Sequence, residues 1–432
     1  MTMHEGPQRR NRLLTSTRPV PSYEVEKAKG SWIYCRGGKR LLDGSSGLLC
    51  VNVGHGSDLV AARVAEQLEK VAYAGPAVFW PDVQLRLAER LARLTGRPND
   101  FVAMATSGTM GVEIALSIAK IVARAKGAPS RRHILTSSLS YHGASAYTLA
   151  LAGNGVRRPR MDDSFGLSPS FSPPYAGLHG GGSERHVCDA SCAAEIEAAI
   201  DRLGEENVAA LIIEPVNGTT GGAFVPPDGY LRSVGEICRK RGVVVIHDEV
   251  LTGLWRCGKA LASDHFDHAS PDICVLSKGL GAGYASAAAI LIAPAVAEVL
   301  LSPEADPLPP LGTMATNPLS AAICHGVLDE LEQIDPRCFE ARCKWLKCEV
   351  DAFRELPAVA LTRGIGFLYG VELKPGQLWR FMEEVEKRDA FFYPFSYGGS
   401  SGFMVAPPLN TPQSDLEYLI ASIRGALSVC SP

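Results

Sequence analysis

The stretch GVVVIHDEVLTGLWRCGK, Gly242–Lys259, decides the reading of this 432-residue chain. Its first half is apolar without alternation, the pattern of a strand covered on both faces. It runs directly into two carboxylates, Asp248 and Glu249. Further on, PDICVLSKGLGAG repeats the design with Lys278 where the acids stood. In an open parallel sheet, ligands sit beyond the carboxyl ends of the strands. If the two strands are neighbours, Asp248 and Lys278 face the same crevice.

Working outward, the strands DFVAMAT, RHILTSS, VAALIIEPV and AAAILIA alternate with the helical patterns MGVEIALSIAKIVARAKG, AAEIEAAIDRLG and GYLRSVGEICRKRG. Such alternation predicts an α/β architecture, a mostly parallel sheet sandwiched by helices. The length exceeds what one core usually serves. It divides into an N-terminal segment 1–74, a large domain 75–320 and a C-terminal small domain 321–432, the first and last forming one smaller α+β unit. The loop from Gly153 to Glu184 is rich in Gly, Pro and Ser and carries Arg157, Arg158 and Arg160, which either lie solvated or touch a ligand.

Apolar residues at 46%, charged residues at 21% and a net charge of −3 give no basis for a nucleic-acid or anionic-membrane partner. No apolar run approaches the roughly 20 residues of a membrane helix. The N-terminus is polar, and several of the 12 cysteines sit inside apolar runs, as reduced thiols do in a cytoplasmic protein. Cys338, Cys343 and Cys348 recur at a spacing that suits neither a zinc site nor one helix face, so no metal is expected.

One acid and one lysine at strand ends are what a pyridine cofactor with an aldehyde requires. The lysine attaches the aldehyde carbon, and the carboxylate keeps the ring nitrogen protonated. Pyridoxal phosphate also needs a phosphate cradle. Ser107-Gly108-Thr109 stand at the start of a helix, where N–H groups and the helix dipole favour an anion; taken alone, they are an ordinary helix cap. Tyr141 and His142, in SLSYHGAS, follow another strand end, where an aromatic ring can stack on a flat cofactor.

The motifs DGSSGLLCVNVGHG, TSGT, SYHG, IIEPV, VIHDEV, LSKGLGAGY, GTMATNPL, RGIGFLYGVELK and VAPPL, in this order over nearly the whole chain, resemble the class III aminotransferases of fold type I, and most of all the amine–pyruvate or ω-transaminases. The resemblance implies a mostly parallel sheet of about seven strands. It implies a cytoplasmic transferase moving an amino group between an amine and an oxo acceptor by a ping-pong mechanism. Lys278 would be catalytic. Asp248 would pair with the pyridine nitrogen, Val250 and Tyr141 would cover the two ring faces, and Ser107, Gly108 and Thr109 would hold the phosphate. His142 and Glu214 would belong to the same cofactor site. Thr313 would reach in from a second subunit, so that a homodimer has its active sites at the interface.

The chain departs from the pattern in places. Met110 stands where the phosphate loop usually carries an acid, and Leu251 where Gln is frequent. Met404 stands three residues before Pro407-Pro408, where members acting on α-carboxylates often carry Arg. Arg256 and Arg363 remain as candidates for carboxylate contact. Leu49 replaces a frequent Trp and would enlarge the pocket, which Trp80 would also line; a bulky or ω-amino substrate fits such a site. GTMATNPL also resembles the aminomutase of the same fold. An aminomutase or epimerase is therefore the first alternative, and a non-catalytic cofactor-binding protein the second.

Overall fold

In the computed structural model, residues 23–75, 78–153, 170–175 and 188–430 are described. Arg157, Arg158 and Arg160 lie outside them.

The central sheet has six strands: β1 (Phe101–Ala105), β2 (His133–Leu135), β3 (Val208–Ile213), β4 (Val244–Asp248), β5 (Ile273–Leu276) and β6 (Ala288–Ile292), in spatial order β1-β6-β5-β4-β3-β2. β2 through β5 are parallel, while β6 runs antiparallel to both β5 and β1. At the β2 edge a further parallel bridge joins Ser137 to Phe171. Among the described residues, the seventh strand is reduced to that bridge.

The unbroken apolar pattern of these strands follows from burial on both faces. Along β5, Ile273 and Val275 pack with Val112 and Ile118 of helix α1 (Gly108–Ala125), while Cys274 and Leu276 face the opposite cluster with Leu254 and Leu280. All six residues of β3 are buried. Helices α2 (Ala194–Leu203) and α3 (Tyr230–Lys240) cover the sheet beside β3 with Ile196, Ile200, Leu231 and Val234.

Two smaller sheets flank this core. Strands Val25–Lys29, Trp32–Cys35 and Arg40–Asp43 form one, and Ala390–Phe391 joins it in parallel, tying the two ends of the chain together. The other is antiparallel and contains Val359–Ile365, Leu368–Leu373, Ser400–Val405 and Tyr393–Tyr397. Cys338, Cys343 and Cys348 lie on the helix Pro336–Asp351, and all twelve cysteines are free thiols. No described helix is long and apolar enough to cross a membrane.

Candidate active site

Sheet register brings the two strand mouths together. β4 and β5 pair in parallel, with Asp248 opposite Val275. Lys278 therefore emerges just past the end of β5, beside the carboxylate that ends β4. Both line one cavity of about 210 Å³. Lys278 has a φ of +29°, a left-handed backbone that a lysine adopts only when its surroundings impose it.

Asp248 is buried, at 5% exposure, and its two oxygens are separately engaged. Oδ2 accepts from His142 Nδ1 at 2.7 Å, and Oδ1 accepts from the Val250 N–H at 3.1 Å. His142 is itself buried, and its Nε2 has no hydrogen-bond partner among the described residues. Glu249 points the other way. Its carboxylate accepts from Thr252 Oγ1 and from the N–H groups of Ala262 and Ser263, so it braces the following loop inside the core. Burial raises its pKa.

The N-terminus of helix α1 forms one wall of the cavity. Ser107 caps it, with an extended backbone and Oγ accepting from the Met110 N–H. Gly108 and Thr109 line the cavity. Thr109 Oγ1 accepts from the Ala144 N–H, which ties the helix start to the Tyr141–Gly143 turn. Gly108 is required by a close approach, since a Cβ there would stand 2.8 Å from Val250 Cγ1. Where an acid is usual, Met110 instead takes a contact from Thr106 Oγ1 to its sulfur.

Glu214, just past β3, also lines the cavity. Its Oε1 accepts from the Tyr141 N–H and the Asn217 amide, and its Oε2 from the Gly218 N–H. Burial pushes its pKa from 4.5 to about 7, with Asp248 adding to the rise and His142 and the two N–H groups opposing it.

Ser107, Gly108, Thr109, Tyr141, His142, Glu214, Asp248, Val250 and Lys278 thus meet around a single space; Ser107 caps the helix whose first residues form the wall. The remaining sequence candidates lie elsewhere. Leu49 (1% exposed) and Met404 (0%) are sealed in one cluster with Leu251, which alone of the three reaches the cavity. Arg256 is fully buried, and its guanidinium donates to Phe367 O, Pro407 O, Ser46 Oγ and Asn52 Oδ1; it pins three chain segments together rather than facing the cavity. Arg363 pairs with Glu372 at 2.8 Å and donates to the carbonyls of Gly221 and Gly222. Trp80 and Thr313 are exposed and line no part of this chain's own cavity. Gly218, Thr219 and Thr220, absent from the motif set, also line the cavity. Their signal was legible, because the Gly- and Thr-rich NGTTGG follows immediately on the EPV just past the end of β3.

A buried acid fixed by a histidine, a lysine on the neighbouring strand end and a helix N-terminus share one cavity at the carboxyl edge of a mostly parallel sheet. The donor set fits pyridoxal phosphate, and the molecule has the fold type I architecture of enzymes that use it. The chain belongs to the class III aminotransferases: residues 15–427 match the family described as Aminotransferase class-III. It is 32% identical over 433 residues to the uncharacterized aminotransferase YodT of Bacillus subtilis, covering 94% of each chain. To the putrescine–pyruvate aminotransferase of Pseudomonas aeruginosa it is 27% identical over 354 residues, covering 81% of this chain and 76% of that one. Among solved structures it resembles an (S)-enantioselective ω-transaminase from Thermomicrobium roseum with a TM-score of 0.86 and 28% identity, covering 97% of this chain and 96% of that one. It is therefore a pyridoxal-phosphate-dependent aminotransferase, moving an amino group between an amine and an oxo acceptor.

Proposed function

We propose that the donor is an amine without an α-carboxylate, and that the cavity residues divide the work as follows. The observation that carries the substrate reading is the charge set of the cavity. Lys278, Asp248 and Glu214 line it, and no arginine does so among the described residues. A substrate carboxylate would meet two acids there and lack the bidentate guanidinium that usually holds such a group.

Bound pyridoxal phosphate supplies an electron sink for the carbanion left when the amine carbon loses its proton. Lys278, which lines the cavity, would hold the cofactor covalently at rest, and its Nζ would take that proton and return it during transfer. Asp248, oriented by His142 and the Val250 N–H, would place negative charge against the ring nitrogen and favour its protonated form. The start of α1 offers N–H groups and a positive dipole end to the phosphate. Val250, which abuts Gly108, and Tyr141 both line the cavity and would cover the two faces of the bound ring. The free thiols support a cytoplasmic setting.

The reading is tested on cofactor-loaded protein mixed with an amine and no acceptor. The cofactor's visible absorbance is expected to convert to that of its aminated form, and an added keto acid should restore it. Lys278→Ala should lower turnover by at least about 10²-fold. Isomerisation of the amine with the absorbance unchanged, or faster reaction with an α-amino acid than with its decarboxylated counterpart, would sink the proposal.

A further inference from the structure

The two carboxylates of the active-site cavity are held differently. Asp248 has both oxygens engaged, one of them by His142. Glu214 concentrates two donors on Oε1, the Tyr141 N–H at 3.1 Å and the Asn217 amide at 3.2 Å. Its Oε2 accepts only from the Gly218 N–H, at 2.8 Å, among the described residues. Each carboxylate oxygen has two acceptor sites, so Oε1 is filled and Oε2 keeps one site open.

The open oxygen belongs to the cavity wall. Gly218 lines the cavity, and a Cβ built on it would stand 3.2 Å from Glu214 Oε2 and 3.0 Å from Leu251 Cδ1, which belongs to another lining residue. A space of about 210 Å³, taken as a sphere, is roughly 7 Å across, less than the screening length of about 8 Å at physiological salt. A substrate charge held there therefore feels Glu214 unscreened.

The charged and titratable neighbours are few. Asp248 ends β4, His142 and Tyr141 follow β2, and Lys278 follows β5, where the cofactor would take it up. Behind Glu214, Tyr230 of α3 borders a smaller cavity and stays neutral, its pKa raised by burial. Thr109, Thr219, Thr220 and Ser277 complete the polar wall without charge. Burial in this company is what lifts the Glu214 pKa to about 7. When Glu214 takes up a proton, Oε2 is the oxygen with room for it, and the resulting O–H is a donor at the wall.

We infer that Glu214 is the residue that sets the preference between substrates with and without a carboxylate. Ionised, it repels a substrate carboxylate; protonated at Oε2, it donates a hydrogen bond to one. The inference rests on the donor reading proposed above and names the side chain responsible for it. Its sign follows directly: carboxylates are admitted below the Glu214 pKa and excluded above it, so discrimination against them grows as pH rises.

The test uses cofactor-loaded protein and two donors that differ only by the carboxylate, ethylamine and alanine. The ratio of their kcat/KM values, ethylamine over alanine, is expected to rise about fivefold from about pH 6 to about pH 8. Glu214→Gln, uncharged at every pH, should hold the ratio constant and lower it at the alkaline end by a similar factor. A second readout is independent of turnover: the affinity for butyrate, which has no amino group to transfer, followed through the cofactor absorbance. Butyrate should bind more weakly with rising pH in the wild type and equally at both pH values in Glu214→Gln, while neutral butyramide shows no such difference between the two proteins. A side chain that merely braced Tyr141 would change butyrate and butyramide binding together, and that result overturns the inference. So does a pH dependence of the donor ratio and of butyrate affinity that survives in Glu214→Gln; a wild type that still prefers ethylamine then leaves the donor reading standing. A wild type that prefers alanine at every pH overturns the donor reading and this inference with it.

Discussion

Glu214 holds its carboxylate at the cavity with three hydrogen bonds, and burial still keeps its pKa near 7 rather than 4.5. Between those two values the folded protein retains a proton that the unfolded chain releases. This residue's contribution to stability therefore falls as pH rises from about 4.5 to about 7, and the cost persists above that window. Two and a half units correspond to on the order of 3 kcal/mol, reduced by the water the cavity admits. Glu214→Gln should flatten the pH dependence of urea unfolding across this window and stabilise the protein most at alkaline pH. A wild-type slope that survives the substitution would show that Glu214 ionises without penalty. Asp248 was readable as a ligand group from its place at a strand mouth. Arg256 was not readable as a brace, because an arginine on a loop looks the same in sequence whether it meets substrate or four protein acceptors.

At the scale of elements, the site depends on how closely helix α1 approaches the chain after β4. Gly108 permits this approach, and an added Cβ would meet the Val250 side chain at 2.8 Å. Gly108→Ala is expected to push the helix start away from the cavity and weaken pyridoxal phosphate binding by about tenfold or more, read by cofactor titration. Val250→Ala alone should weaken it less, and adding Val250→Ala to Gly108→Ala should restore part of the loss. Simple additivity of the two effects would show that the contact is not the cause. The strands and helices that deliver these residues were legible in the apolar runs and their caps. The strand bordering β2 was not, because a single bridge at Phe171 has no period to read.

At the scale of the whole molecule, Thr313 is exposed and lines no part of its own chain's cavity, and the run Val78, Phe79 and Trp80 is 76%, 61% and 63% exposed. We propose that both features are covered in a homodimer, where Thr313 completes the phosphate cradle of the other subunit. Mixing Lys278→Ala and Thr313→Ala chains separates the alternatives. If Thr313 serves the second subunit, each hybrid dimer contains one unaltered site and recovers high-affinity cofactor binding with turnover. If it serves its own subunit, every site in the hybrid keeps a lesion and nothing is recovered. A monomer by light scattering would remove the premise.

The sequence by itself determined the α/β alternation, the doubly buried strands and the carboxyl-end positions of Asp248 and Lys278. These are local matters of period, capping and the direction in which a strand ends. Tertiary structure alone decided that β4 and β5 are neighbours, so that acid and lysine share one cavity. It also decided that Leu49 and Met404 close into the core behind Leu251, and that Arg256 is spent on the protein itself. Strand order, and the side of a wall on which a side chain finishes, are set by contacts between residues far apart in the chain, and no local pattern encodes them.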